Sequence, residues 1–189
     1  MIREVVFICI FNVKRSVIAE HFLRRLLQRK SPPGADTIIV SSAGFMGKRT
    51  GDWFARNSIP LPEPLYGRSP SNLIHTLMIE RGIDLSRHRS RPINTELLDT
   101  VHTVIPLLEI LKDDLIRTFP HCRKKIISPR DLTGKREGFF WEDPGAVPND
   151  HRMYDFAHGN KEYVSKVIGE IEQFIEESFE ELVSRVLSS

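Results

Sequence analysis

Cysteine is scarce in this chain: Cys9 and Cys122 are the only thiols in 189 residues, and no CxxC pair occurs. Neither a disulfide framework nor a thiolate zinc site is encoded, so each cysteine must be explained by packing or by reactivity. An excess of one charge is also missing. Twenty-seven basic residues face 25 acidic ones for a net charge of +2, which argues against a nucleic-acid partner, because affinity there rests on clustered phosphate neutralisation. No apolar run approaches the roughly 20 residues that span a bilayer. There is no basic leader followed by an apolar core and a small-residue cleavage site, so a cytoplasmic protein without a membrane span is expected. No internal repeat or low-complexity tract occurs. What is present is ordinary globular composition, 40% hydrophobic and 28% charged, enough for one α/β domain over residues 1–189.

Residues Glu4 to Cys9 are apolar, β-branched and aromatic without polar alternation, as expected of a strand buried on both faces of a parallel sheet. From Ser16 to Lys30 two rows, Ile18, Phe22, Leu26 and Ala19, Leu23, Leu27, recur every four positions, predicting a helix that "SPPG" stops. A second strand fits Thr37 to Ser42. The Gly- and Pro-rich stretch from Gly44 to Pro70 reads as a long loop. Helical spacing returns at Leu73 to Met78, with Ser69 or Ser71 as cap and Gly82 as the left-handed stop. Asn94 caps a short helix at Thr95 to Leu98. Then follow a strand at Val101 to Ile105, a helix at Leu107 to Phe119, a short strand at Lys125 to Ser128 and an irregular region from Arg130 to Asn160. A long amphipathic helix, with Asn160 as a plausible cap, carries Val164, Val167, Ile168, Ile171, Phe174, Ile175, Phe179, Leu182, Val183 and Val186 on one stripe. Strands alternating with helices predict a three-layer α/β fold, a four-stranded parallel sheet with helices on both faces, doubly wound. Ligands in such folds bind at the carboxyl ends of strands where the topology reverses, which singles out the turn after the first strand. The basic run "SRHRSRP" at Ser86 to Pro92 reads as a solvated face, or as a patch that draws in an acidic peptide.

That first turn reads "CIFNVKRS". If the loop curls inward, the amides of Ile10, Phe11, Asn12, Val13 and Lys14 form an anion cradle, reinforced by the positive end of the following helix. Arg15 can fork onto two phosphate oxygens, which lysine cannot do. The same field favours a thiolate. A free cysteine titrates near ~8.5, and helix N-termini with nearby cations lower it to roughly 3.5–7.5, so Cys9 would be a nucleophile at neutral pH. Asn12 tolerates a left-handed backbone, and the Ser16 hydroxyl can donate to the sulfur. Cys122 has no arginine six residues on and reads as structural.

At these residues the chain resembles the low-molecular-weight protein tyrosine phosphatases, whose signature is a strand, Cys, five residues, Arg and Ser, with Asn third among the five. "FICIFNVKRSVIAEHFL" matches it at Cys9, Asn12, Arg15 and Ser16. "SSAG" at Ser41 to Gly44 and "GIDLSRHRSRP" at Gly82 to Pro92 are similar to two further family segments. The resemblance implies that Ser42 helps to hold Asn12 left-handed. It also implies a general acid from an Asp-Pro late in the chain; the only Asp-Pro here gives Asp143, with Glu142 and Asp150 near it, although Asp-Pro is also an ordinary turn former. The implied function is hydrolysis of protein phosphotyrosine through a phosphocysteine, with a phosphotyrosine-containing protein or peptide as partner, inorganic phosphate as product and inhibitor, and no metal or cofactor.

The chain departs from the family at Phe11, where Gly is usual, at Lys14, where a second cysteine is frequent, and at Gly145, where aromatic residues are common. Lys14 removes the partner for a protective disulfide and leaves Cys9 open to irreversible oxidation. Aromatic walls for a phosphotyrosine ring then come from Phe11, Trp53, Phe54 or the cluster Phe139, Phe140 and Trp141, with Trp53 the expected choice. Extra residues around Phe54 to Pro70 and in the final helix could cover the site or form an interface. Two other readings stand: arsenate reduction on the same fold, with Cys122 as the only further thiol, and a phosphate-binding module in which Phe11 closes the pocket.

Overall fold

The computed structural model describes residues 2–58, 60, 61, 63, 65–135 and 161–188. Its centre is β1 (Arg3–Cys9), flanked by β2 (Ile38–Gly44) and β3 (Thr103–Pro106) in a parallel sheet of order β2-β1-β3. Val5 and Phe7 point into one core layer and Val6 and Ile8 into the other, all four fully buried. This is why β1 shows no polar alternation: neither face meets water. One layer is closed by α1 (Arg15–Lys30), α3 (Asn72–Ile79) and α7 (Lys161–Ser188). The other is closed by α2 (Lys48–Arg56), α4 (Thr95–Thr100) and α5 (Glu109–Thr118). The chain leaves β1 for β2 on one side and returns past it to β3 on the other. The carboxyl end of β1, where Cys9 sits, is therefore the topological switch point.

The expected fourth strand is not formed. A 3₁₀ turn over Pro120–Lys125 runs up to Ile126, and Ser128 already caps α6 (Pro129–Thr133) with a reciprocal Ser128–Asp131 capping box. Only a single parallel bridge, Val104 to Ile126, and the hydrogen bond from Ile127 N to Val104 O (2.9 Å) remain of it, so among the described residues the sheet has three strands. Two segments read as irregular contain helices, α2 within the 44–70 stretch and α6 just after residue 128. Val101 ends α4 rather than opening β3. The caps Ser71 and Asn94 are as expected, accepting from Ile74 N and Leu97 N, and Gly82 turns left-handed at φ +75°. Asn160 lies outside the described residues.

The 28-residue α7 buries all ten predicted stripe positions. It lies along α1, whose basic face meets its acidic one: Arg25–Glu172 at 2.5 Å, Arg29–Glu176 at 3.1 Å and Lys30–Glu180 at 3.2 Å. Its apolar stripe is thus used within the core. Among the described residues, no helix is long and apolar enough to cross a membrane.

Candidate active site

Cys9 is the last residue of β1, in register with Gly44 at the end of β2, and five loop residues separate it from Arg15, the first of α1. Ile10 and Val13 are buried and anchor the loop from below. Asn12 carries its turn, with φ +53°, a left-handed conformation that only glycine and short polar residues adopt readily.

The Asn12 amide is completely committed. Its Nδ2 donates to Ser16 Oγ at 3.0 Å and to Ser42 Oγ at 2.7 Å, while Oδ1 accepts from Arg91 N at 3.0 Å. Its backbone carbonyl accepts from His88 Nε2 at 2.8 Å. The Ser42 hydroxyl donates to Glu20 Oε2 at 2.5 Å, and Glu20 pairs with Arg24 at 2.8 Å. Ser16 Oγ receives the Asn12 N–H and lies 3.0 Å from Cys9 Sγ, a pair in which either group can donate. A chain of polar groups therefore runs from Glu20 to the sulfur, every member buried. Such a network fixes geometry because each broken link would strand a buried polar group, at about 1–3 kcal/mol.

Charge at the site is positive. Arg15 is only 6% exposed. Burial pushes its pKa down, the Cys9 and Tyr163 side chains act to hold it up, and an arginine so placed stays a cation. Lys14 is brought down to about 7, first by burial, then by Arg15 and Arg68, against the opposing pull of Cys9. Helix α1 adds the positive end of its dipole, with no acidic residue in its first turn. A bound oxyanion is the species such a field favours.

Phe11, bulky at a position where the loop curls, turns its ring toward α2 and meets Phe54 edge-on at 5.6 Å. Trp53 also packs edge-on against Phe54, at 5.3 Å, and borders a groove of about 400 Å³ with Arg49, Asp52, Arg56 and Ile110. Trp53 thus stands one ring removed from the loop. Cys122 is fully buried in the α4/α5 layer, its thiol 3.9 Å from Leu98 O and its pKa raised by that burial. It packs; both cysteines are free. Asp143, Glu142, Asp150, Phe139, Phe140 and Trp141 lie outside the described residues.

Four groups at the site were not anticipated from the sequence: Glu20, His88 and Arg91, and also Tyr66, whose Oη donates to Ile10 O at 3.5 Å. His88 and Arg91 belong to the basic run at 86–92, in which Ser86, Arg87, Arg89, Arg91 and Pro92 are exposed, His88 is half-buried and Ser90 is buried. It straps the loop from behind, with Gly44 N donating to Arg91 O and Ile93 N to Gly44 O, both at 2.8 Å. Their signal in the sequence is a histidine and an arginine placed three apart within that run. Among the described residues, no group of three or more His, Cys, Asp or Glu could hold a metal ion.

The fold recurs in solved structures. A protein tyrosine phosphatase from Entamoeba histolytica superposes with TM-score 0.70 at 17% identity, covering 96% of this chain and 97% of its own. A low molecular weight protein tyrosine phosphatase from T. tengcongensis gives 0.68 at 22%, covering 95% and 99%. The YwlE arginine phosphatase from Geobacillus stearothermophilus gives 0.67 at 22%, covering 98% and 96%. No curated protein sequence matches the chain. The family model for low molecular weight phosphotyrosine protein phosphatases matches residues 4–186, nearly the whole length over which β1, the Cys9 loop and α7 have been described, and the chain belongs to that family.

Proposed function

We propose that the protein is a cysteine-dependent phosphatase that hydrolyses phosphotyrosine in proteins or peptides. The Cys9 thiolate attacks phosphorus in line, forming an S–P bond as the bond to the tyrosyl oxygen breaks. Arg15 and the amides of residues 10–14 hold the equatorial oxygens. Ser16 donates to the sulfur and stabilises it as attacking and leaving group. Asp143 gives the tyrosyl oxygen its proton, then takes one from the water that attacks the phosphocysteine. The S–P bond breaks, phosphate leaves and the thiolate is restored. Preorganised donors supply the larger share of the rate, and the general acid about 10²- to 10⁴-fold.

The observation that carries this reading is the junction of β1 and α1: a buried Cys9, the Ser16 hydroxyl 3.0 Å from its sulfur, and Arg15 in the same helical turn. Arsenate reduction would need a second thiol to reach Cys9, and Cys122 is packed in a core layer with its pKa raised. A closed pocket would need the Phe11 ring over the loop, and that ring packs on Phe54.

The test is turnover of an aryl phosphate by three proteins. Cys9→Ser abolishes hydrolysis while retaining the fold and vanadate binding. Asp143→Asn lowers kcat by about 10²- to 10⁴-fold and removes the basic limb of the pH profile, where the acid must be protonated. Retained turnover in Cys9→Ser overturns the mechanism. Phosphoarginine peptides are assayed beside phosphotyrosine peptides, since one protein of this fold is called an arginine phosphatase.

A further inference from the structure

We propose that Arg68, Arg87, Arg89 and Arg91 form a docking rim beside the loop, and that this rim receives the acidic side chains flanking the phosphotyrosine of a protein substrate. The proposal rests on the phosphatase reading above and deepens it, since it names the class of phosphopeptide the site takes.

Three observations carry it. The first is uncompensated charge. Arg25, Arg29 and Arg49 each cross to a carboxylate on a neighbouring element, at 2.5, 3.1 and 2.7 Å. Among the described residues, none of Arg68, Arg87, Arg89 and Arg91 pairs with an acid. The acid of their own segment, Asp84, is already engaged by Ser86 N at 2.8 Å, Ser86 Oγ at 2.9 Å and His75 Nε2 at 3.0 Å. Arg87, Arg89 and Arg91 are exposed and Arg68 is half-buried. In a chain whose net charge is only +2, these cations make a local positive field rather than a global one.

The second is placement. Gly67 N donates to Ser90 O at 2.8 Å, Arg68 N to Ser90 Oγ at 2.9 Å, and Ser90 N to Arg68 O at 2.8 Å. Arg68 therefore lies opposite the buried Ser90, whose chain neighbours are Arg89 and Arg91. The same segments touch the Cys9 loop. His88 Nε2 meets Asn12 O at 2.8 Å, Arg91 N donates to Asn12 Oδ1 at 3.0 Å, and Tyr66, two residues before Arg68, donates to Ile10 O at 3.5 Å. Arg68 is also one of the cations that depress Lys14. An extended peptide advances about 3.3–3.6 Å per residue, so acids within about four positions of the phosphotyrosine lie within about 14 Å of it along the chain.

The third is preorganisation. Arg91 Nε is fixed on Ser42 O at 3.0 Å, and Arg89 Nη1 donates to Ser86 O at 3.0 Å and to His88 O at 2.7 Å. Each guanidinium carries further N–H donors in a planar fork that matches a carboxylate. Both forks are thus anchored through part of their donor set and keep the remainder, so less side-chain freedom is lost when an acid binds.

The experiment measures kcat and KM for a small aryl phosphate, for a phosphotyrosine peptide with Asp and Glu on both sides, and for the same peptide with Asn and Gln in their places. Wild type is compared with Arg87→Gln and with Arg87→Gln/Arg89→Gln. An exposed ion pair changes KM by roughly two- to fivefold, so wild type prefers the acidic peptide by about tenfold in KM. The double variant brings the two peptides within about twofold at unchanged kcat, as expected for binding that is uniform along the reaction. Turnover of the aryl phosphate and inhibition by vanadate stay within about twofold in every protein. Higher salt narrows the wild-type preference. Arg87, which makes no hydrogen bond among the described residues, carries the test alone if the double variant disturbs the strap. Equal KM for the two peptides in wild type overturns the proposal, as does a preference that survives both variants. A vanadate constant that rises in step with KM also overturns it, because the arginines then act on the loop and not on the peptide. So does binding to phosphatidylserine vesicles that the variants abolish without any peptide preference, which assigns the rim to a membrane surface. Wild type without aryl phosphate turnover removes the phosphatase reading itself, a result distinct from turnover that ignores the flanking residues.

Discussion

At Asn12 the backbone enters a conformation that costs an ordinary L-residue roughly 1–2 kcal/mol, and the side chain offsets it with three hydrogen bonds to groups from three separate segments. Asn12→Ala keeps the unfavourable φ and strands Ser16, Ser42 and the Arg91 N–H in the interior. A loss of about 2–4 kcal/mol in urea unfolding is expected, with a steeper fall in turnover, since the amides proposed to hold the phosphate lose their alignment. Lys14, two residues on, makes a separate prediction. Its amine titrates at about 7 in the folded protein against 10.5 for an ordinary lysine. Between those values the unfolded chain binds a proton that the folded chain does not, so stability rises with pH across that window. Over the same rise the mouth of the site loses a positive charge, and oxyanions bind more weakly above pH 7. Lys14→Met flattens both dependences, read as the urea midpoint and the vanadate inhibition constant between pH 6 and 9, a range of about one to two units around the titration.

The elements divide by how their burial is written. Helices α1 and α7 are fixed by apolar rows at four-residue spacing, and their flanking ion pairs contribute much less. Phe174, 1% exposed in the core, should cost about 3–5 kcal/mol as Phe174→Ala. Arg29, in a pair exposed on both sides, should cost about 0–1 kcal/mol as Arg29→Ala; chemical denaturation of the two variants checks the ratio. The same spacing made both helices legible in the sequence, and the unbroken apolar run made β1 legible. Helix α2 was hidden because it buries only Thr50 and Phe54 and contains Gly51, too short a pattern to outweigh the surrounding glycine and proline. The fourth strand failed for the opposite reason. Ile126, Ile127 and Ser128 have strand-like residues, but the turn before them and the cap after them leave no room for a ladder.

Across the whole molecule, the candidate site is part local and part assembled by the fold. Cys9, Asn12, Arg15 and Ser16 fall within eight residues, so their spacing could be read directly, and Ser42 followed from the family resemblance. His88 reaches the loop through one ring nitrogen, Arg91 through a backbone N–H, and Tyr66 through a ring laid on Gly44. Backbone donors and close approaches are available to many residue types, so they leave little trace in the letters. The doubly wound order places all of them at the carboxyl end of β1, where strand, helix dipole and strap meet. That convergence makes the claim about Cys9 a claim about the whole fold. It is tested most directly by stopping turnover of an aryl phosphate within milliseconds and identifying the covalent adduct by mass spectrometry of the digested protein. A burst of released phenol stoichiometric with enzyme is expected, together with a phosphoryl group on the peptide that contains Cys9. Turnover without an adduct on Cys9, or with the phosphoryl group on another residue, would contradict it.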